Sequence, residues 1–159
     1  MEGPDERSAL LVEKLAAASL MVAAAESCSA GLVADRIARV PGASQVFWGS
    51  FVSYMADAKT LMLGLDREKL GAYGPVSRET ACSMAEAALE KSGAGIAVAV
   101  TGLAGPGGDG TAVPVGTVWI ATALRGGETL AEVFHFKDSR NNIRNRAAAS
   151  AVEALLKRL

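Results

Sequence analysis

Two short apolar runs, residues 20–25 and 96–100, constrain the fold of this chain more than any other feature of its sequence. Each run has the length of a single strand and contains no charged residue. Strands that are apolar throughout are typical of a parallel sheet with helices on both faces. The runs therefore predict two buried strands at the centre of an α/β domain.

The segments around these runs predict alternating helices and strands, with a hairpin near the end. Helical spacing of apolar residues predicts helices, and β-branched and aromatic residues predict strands. The predicted helices are residues 5–18, a segment carrying Leu32, Ile37 and Val40, residues 56–63, a segment after the N-cap Ser77, and residues 141–157. The further strands are residues 46–54, 115–124 and 129–137, the last two joined by a turn at Gly126 and Gly127. This order predicts an α/β sandwich, one domain over residues 1–159, with a mostly parallel sheet and at least one antiparallel strand.

Charge and cysteine content exclude several classes of protein. The chain has 16 basic and 17 acidic residues and a net charge of −1, so no global field favours DNA or RNA. Two cysteines argue against a disulfide scaffold, and we expect reduced thiols and a cytoplasmic location. The polar residues 1–7 predict no secretory leader, and Glu26 interrupts the longest apolar stretch before it could span a membrane.

Histidine chemistry is limited to His135, the one histidine in the sequence, which lies in a predicted strand. A metal site built on several histidines is therefore excluded, and Cys28 and Cys82 lack the spacing of a zinc knuckle. We expect His135 to be a structural or surface residue. If the chain is a hydrolase, its general base is then a residue other than histidine.

Two segments fall where ligands bind in such sheets, beyond the carboxyl ends of parallel strands. The first, residues 26–31, turns from a strand into a helix and exposes main-chain N–H groups. Ser27 there is either a nucleophile with oxyanion donors beside it or, like Ser29, a simple helix cap. Cys28 is either a small buried residue or a thiolate favoured by the helix N-terminus.

The second segment, residues 101–110, contains five glycines and is either a flexible connection or a nest of N–H groups for an anion. Lys59 is either a solvated helix lysine or a base whose pKa is lowered by its apolar surroundings. Arg140 and Arg144 lie four residues apart on one helical face, which suits either a phosphate or solvent.

Seven stretches, taken in order, resemble the C-terminal domain of the competence-damage-inducible (CinA) family. They are residues 25–31, 40–44, 52–54 with Lys59, 73–77, 99–108, 114–119 and 140–146. The resemblance implies a three-layer α/β/α fold, homo-oligomers, and hydrolysis of nicotinamide mononucleotide to nicotinate mononucleotide and ammonia. It implies no cofactor or metal and no nucleic-acid or membrane partner.

The resemblance also implies roles for individual residues. Ser27 matches the nucleophile and Lys59 its base, and Tyr54 and Thr101 are expected to orient Lys59 or the scissile group. Main-chain N–H groups of Cys28, Ser29 and Gly31 are expected to hold the oxyanion. The substrate phosphate is expected to contact the loop glycines and an arginine of the last helix: Gly102, Gly105, Gly107, Gly108, and Arg140 or Arg144.

Three departures from the family pattern border this predicted site. Ala30 replaces a glycine, Val113 replaces a lysine, and Asn141 and Asn142 replace acidic residues. They leave the serine and lysine in place but bear on substrate preference. Two alternatives therefore stay open: a nucleotide-binding or regulatory module without catalysis, and an amidase for another small carboxamide.

Overall fold

Five strands form one sheet in the computed structural model, which describes residues 5–159. They are β1 (Val22–Glu26), β2 (Phe47–Val52), β3 (Ile96–Gly102), β4 (Thr117–Leu124) and β5 (Leu130–His135). Their order across the sheet is β2-β1-β3-β4-β5. Since β1 is parallel to β2 and β3, and β4 is antiparallel to β3 and β5, four strands share one direction. The predicted mixed sheet is confirmed. Residues 1–4, at the start of the segment predicted to lack a leader, lie outside the described residues.

Helices cover both faces of the sheet, as the resemblance implies. They are α1 (Glu6–Ala17), α2 (Leu32–Ala38), α3 (Ala56–Leu63), α4 (Arg67–Tyr73), α5 (Arg78–Ser92) and α6 (Arg140–Leu156). Helices α1, α2 and α6 pack on one face, and α3, α4 and α5 lie on the other. The three-layer α/β/α fold is confirmed. No helix within residues 5–159 is long and apolar enough to cross a membrane.

The two faces of the sheet differ in side-chain size. On β1 and β3 the residues facing α1, α2 and α6 are mainly valine and isoleucine, such as Val22 and Val98. The residues facing α5 are alanines, such as Ala25 and Ala99, and α5 itself presents alanines at this interface. Short side chains on both surfaces let helix and sheet approach closely, because cores pack without voids. This packing explains the many alanines where β1, β3 and α5 meet.

Helix α4 was not predicted from the sequence. Asp66 caps it, its carboxylate accepting hydrogen bonds from the N–H groups of Glu68 and Lys69, and it ends at Gly74, where φ is +82°. Its one buried residue is Leu70, so the segment lacks the apolar stripe that marks longer helices. The chain then continues into Pro75 and Val76, which border the candidate site.

The carboxyl ends of the three neighbouring parallel strands β2, β1 and β3 meet at one edge of the sheet. Glu26 is in register with Val52 on β2 and with Val100 on β3. The predicted strand 46–54 ends two residues early, so Ser53 and Tyr54 belong to the loop that follows β2. Ser27, this loop and the end of β3 are therefore adjacent, at the place predicted for the site. His135 lies exposed at the end of β5, outside this edge.

Candidate active site

Ser27 and Lys59 lie in direct contact at this edge of the sheet. Lys59 Nζ donates a hydrogen bond of 2.8 Å to Ser27 Oγ, although the two residues are 32 positions apart. Ser27 follows β1, and Lys59 lies in the first turn of α3, which begins directly after the loop following β2. The parallel pairing of β1 and β2 therefore brings the two side chains together.

Lys59 is buried, with 1% of its surface exposed. Its ammonium group has no carboxylate among its hydrogen-bond partners, which are Ser27 Oγ and the main-chain oxygens of Ser53 and Tyr54, the latter two at 2.9 and 3.0 Å. Burial lowers the pKa of the Lys59 ammonium to about 8, and the neighbouring Cys28 opposes this shift. A substantial fraction of Lys59 is therefore neutral near physiological pH.

The three partners of Lys59 match the needs of a neutral amine. Neutral Nζ has two protons and one lone pair, and the two carbonyl oxygens accept the two protons. The lone pair of the neutral amine would then face the Ser27 hydroxyl, whose present acceptor is the Tyr54 main-chain oxygen at 3.2 Å. Tyr54 thus contributes its main-chain oxygen, and not its phenol, to the orientation of Lys59.

Glu26 holds the turn that carries Ser27. Its carboxylate is fully buried and accepts hydrogen bonds from the N–H groups of Gly31, Val33 and Ala34 and from two serine hydroxyls, those of Ser29 and Ser50. A carboxylate at a helix N-terminus satisfies the unpaired N–H groups and complements the helix dipole. The turn is therefore fixed from the end of β1 into the first turn of α2.

These contacts change the predicted oxyanion site. The Gly31 N–H is bound by Glu26 and the Ala30 N–H by the Ser27 oxygen, so neither is free for a substrate. The N–H groups of Cys28 and Ser29 have no such partner in the turn. Of these two residues, only Cys28 lines the cavity beside Ser27, whereas the Ser29 side chain is fully buried against Glu26.

Ala30 adopts a left-handed conformation with φ of 45°. Glycine enters this region without strain, which gives a physical reason for glycine at this position in the family pattern. The Ala30 side chain is exposed and does not line the cavity. The alanine therefore affects the main-chain conformation of the turn and adds no methyl group to the cavity wall.

The Cys28 thiol is a poor candidate for the nucleophile. Its side chain is buried, and burial raises the pKa of the thiol to about 11. The thiolate is the reactive form, and a thiol with this pKa is protonated at neutral pH. The geometry therefore favours the serine hydroxyl.

Thr101 and Tyr54 have partners other than those expected. The Thr101 hydroxyl is bound to the main-chain oxygen of Pro75, so it fastens the loop after α4 and does not contact Lys59. The Tyr54 hydroxyl accepts a hydrogen bond of 2.8 Å from Arg140, which also binds the main-chain oxygen of Gly105. Arg140 thus joins the loop after β2 to the glycine loop across the site.

Arg144 is not available to a substrate in this arrangement. Its guanidinium donates to the main-chain oxygens of Cys28 and Ser29, at 2.9 and 3.3 Å, and to the side-chain oxygen of Asn141 at 3.2 Å. The prediction left Arg140 and Arg144 as alternatives for the phosphate. Of the two, Arg140 lines the cavity and Arg144 does not.

A cavity of about 210 Å³ opens beside Ser27 and Lys59. Nine predicted site residues line it: Ser27, Cys28, Tyr54, Lys59, Thr101, Gly102, Gly105, Gly107 and Arg140. Four do not: Ser29, Gly31, Gly108 and Arg144. Five further lining residues were not assigned to the site from the sequence: Pro75, Val76, Leu103, Ala104 and Asp109. Sequence signals existed for all five: Pro75 and Val76 belong to the resemblance stretch 73–77, and the other three lie in the segment 101–110 predicted at the ligand-binding edge.

Gly102 has a steric role in this wall. A Cβ atom there would lie 2.9 Å from the Thr117 oxygen and 3.1 Å from Cys28 Sγ.

A larger cavity, of about 330 Å³, lies between α4 and α5 and contains none of the predicted site residues. The serine–lysine pair lies at the smaller cavity. Residues 5–159 hold no cluster of three or more metal-ligating side chains.

Comparison with known proteins identifies the family. The sequence model of the CinA C-terminal domain matches residues 5–159. The chain belongs to the CinA C-terminal domain family. A CinA-like protein of Akkermansia muciniphila is 50% identical over 142 residues, covering 89% of this chain and 34% of that protein. A CinA-like protein of Mycolicibacterium gilvum is 43% identical over 97% of this chain and 37% of its own length. This CinA domain thus spans about a third of the curated relatives it matches.

Crystal structures of CinA proteins share the fold. The competence/damage inducible protein CihA from Agrobacterium tumefaciens is 40% identical, with a TM-score of 0.90, covering 99% of this chain and 98% of its own. A CinA superfamily protein from Escherichia coli is 30% identical, with a TM-score of 0.93, covering 96% and 88%. The three-layer sandwich is therefore that of the CinA superfamily.

The lowered pKa of Lys59 gives a pH prediction for this CinA domain. A protonated lysine has no lone pair for the serine proton, so any reaction that uses Lys59 as the base for Ser27 is lost as the pH falls through this pKa. We expect kcat/KM to fall about tenfold per unit below pH 8 and to level off above it. A profile measured from pH 6 to 10 checks this. A constant rate down to pH 6, or a midpoint near 10.5, would contradict Lys59 as the base.

Proposed function

We propose that this chain is an amidohydrolase that converts nicotinamide mononucleotide to nicotinate mononucleotide and ammonia. The observation that carries the proposal is the 2.8 Å hydrogen bond between Lys59 Nζ and Ser27 Oγ, made by a buried lysine at the wall of a cavity. A serine beside a neutral amine is a recognised arrangement for acyl transfer without histidine. The family resemblance supports the choice of substrate.

The first half-reaction forms an ester on the enzyme. Ser27 Oγ attacks the carboxamide carbon while neutral Lys59 takes the hydroxyl proton, and the carbonyl oxygen becomes an oxyanion. The Cys28 N–H is the donor beside the nucleophile, and one such donor contributes roughly 3–4 kcal/mol in known hydrolases. The intermediate collapses as the C–N bond breaks, and the Lys59 ammonium returns its proton to the leaving NH2 group, which departs as ammonia.

The second half-reaction restores the serine. Lys59, again neutral, takes a proton from water as the water oxygen attacks the ester carbon. The bond to Ser27 Oγ then breaks, and the proton on Lys59 passes to that oxygen. The products are the pyridine carboxylic acid and the free hydroxyl of Ser27.

Arg140 and the glycine loop support a phosphorylated substrate. A cavity of about 210 Å³ is smaller than the roughly 300–1,000 Å³ of sites that enclose a drug-sized ligand, so a mononucleotide would extend from it to the exposed loop 106–110. Arg140 lines the cavity together with Gly107 and Asp109 of this loop, and both of its present partners are neutral oxygens. A phosphate is a stronger acceptor than either.

Replacement of Arg140 by methionine is expected to raise KM for nicotinamide mononucleotide about 10- to 100-fold, because a charged hydrogen bond to the phosphate is lost. KM for nicotinamide riboside, which lacks the phosphate, is expected to stay within threefold of its wild-type value. Steady-state kinetics on both substrates measure this. Equal increases for the two compounds would contradict phosphate binding by Arg140.

Ammonia release from nicotinamide mononucleotide by the purified chain tests the proposal, with Ser27→Ala as the control. We expect turnover by the wild-type chain and loss of about 10³-fold or more in the variant. Tight binding of the mononucleotide without ammonia release would instead indicate a non-catalytic nucleotide-binding module. Equal turnover of unphosphorylated carboxamides would indicate a different amidase.

A further inference from the structure

Arg144 binds main-chain carbonyl oxygens of the turn that follows Ser27. Its guanidinium donates to the oxygens of Cys28 and Ser29, across 116 and 115 positions of sequence. Its third partner is the side-chain oxygen of Asn141. None of the three partners carries a negative charge, so no ion pair with them offsets the positive charge of the arginine beside the turn.

The positive charge of Arg144 polarises the N–H groups of the turn through the peptide groups that it binds. In a trans peptide the N–H points opposite to the C=O, and a donor bound to the oxygen polarises the whole group. Arg144 binds the Cys28 oxygen and so acts on the peptide that carries the Ser29 N–H. This N–H has no main-chain partner.

A second path leads to the Cys28 N–H. Arg144 binds the Ser29 oxygen, and the N–H of the same peptide belongs to Ala30. That N–H donates to the Ser27 oxygen at 3.1 Å, and the Ser27 oxygen shares a peptide with the Cys28 N–H. Successive hydrogen bonds polarise one another, so the chain of contacts runs from the guanidinium to a donor at the cavity wall.

The geometry points to Arg144 as a positioning residue that orders the peptide groups of residues 28–30 and so aligns and strengthens the main-chain N–H donor of Cys28 for the oxyanion. It acts through the peptide groups of the turn and does not touch the substrate. The role rests on the proposed function, since it concerns the tetrahedral intermediate of that reaction. It differs from the role of Arg140, which lies at the cavity itself.

The test compares Arg144→Met, Arg144→Lys and Arg140→Met in the full chain. For Arg144→Met we expect kcat for nicotinamide mononucleotide to fall about 10- to 100-fold, with KM within threefold of wild type, because the loss concerns the transition state. Arg144→Lys keeps a charged donor but loses the planar guanidinium that binds two oxygens at once. Its kcat is expected to lie between those of the wild type and Arg144→Met. Arg140→Met is expected to raise KM instead.

A second measurement does not depend on the substrate. A fluorophosphonate reacts with an activated serine to form a Ser27 O–P bond, fluoride leaves, and Lys59 takes the proton. The phosphoryl oxygen then occupies the place of the oxyanion. We expect the second-order labelling rate of Ser27, per folded molecule by circular dichroism, to fall 10- to 100-fold in Arg144→Met. In Lys14→Met, which replaces an exposed lysine of α1 on the other face of the sheet from Lys59, we expect a change of less than threefold.

The two readouts separate the possible failures. If the wild-type chain releases no ammonia but Arg144→Met still slows fluorophosphonate labelling, the substrate is wrong and the role of Arg144 is supported. An increase of KM alone in Arg144→Met would overturn the role, because Arg144 would then bind substrate. An unchanged labelling rate per folded molecule in Arg144→Met would also overturn the role, because Arg144 would then contribute to folding only. If Arg144→Met does not fold, the same comparison of kcat, KM and labelling rate is decided on Arg144→Lys.

Discussion

Replacement of Lys59 by methionine is expected to lower kcat for nicotinamide mononucleotide by about 10³- to 10⁴-fold. Methionine has a similar length and suits a buried position, but it has no lone pair that accepts the Ser27 proton. The serine would keep its place at the end of β1, held by the hydrogen bond from its N–H to the Val100 oxygen. The variant therefore tests the proton transfer to Lys59 while the position of the nucleophile stays unchanged.

Lys14→Met is the matched control for this variant. Lys14 is exposed on α1, on the opposite face of the sheet, so its replacement is expected to leave kcat unchanged. Steady-state ammonia release measures both variants, and circular dichroism checks that both fold. A folded Lys59→Met that retains more than a tenth of the wild-type kcat would show that another group accepts the proton.

The second large effect is expected at Glu26, where glutamine should lower the free energy of unfolding by about 2–4 kcal/mol. One carboxylate oxygen accepts from the N–H groups of Gly31 and Val33, and the other accepts from that of Ala34. In either orientation a glutamine turns its NH2 group toward at least one of these donors, which then stays buried and unpaired. Hydroxyl groups can rotate to relieve such a conflict, but main-chain N–H groups cannot.

Thermal unfolding measures this prediction, with Glu13→Gln as the control. At about 2–4 °C per kcal/mol, we expect Tm to fall by about 5–15 °C in Glu26→Gln. Glu13 is exposed on α1, and its replacement is expected to change stability by less than about 0.5 kcal/mol. A Tm of Glu26→Gln within 2 °C of wild type would contradict the account of the turn.

The fold was largely predictable because its strongest signals are local. The apolar runs that became β1 and β3 mark strands buried on both faces, and the capping residue Ser77 marks the start of α5. Helix α4 escaped prediction because it buries one leucine and has no apolar stripe. The β2 boundary shifted because Ser53 and Tyr54 use their carbonyl oxygens to bind Lys59 and not to extend the sheet.

The site was predictable in its location and residue types but not in its internal contacts. Parallel strand ends identify the edge of the sheet from sequence alone. The partners of Glu26, Thr101 and Arg144 depend on how distant segments pack, so no spacing reveals them. Glu26 in particular is visible in the sequence as a charge that ends an apolar run and begins the turn 26–31, but its spacing does not reveal that its carboxylate orders the whole turn. The predicted homo-oligomer stays a prediction.

Mass spectrometry of the chain, quenched in acid during turnover of nicotinamide mononucleotide, tests the serine–lysine mechanism most directly. We expect an acyl group on Ser27 in the wild-type chain, and neither adduct nor ammonia above background in Ser27→Ala. An acyl group on the Cys28 thiol, or undiminished ammonia release by Ser27→Ala, would contradict it.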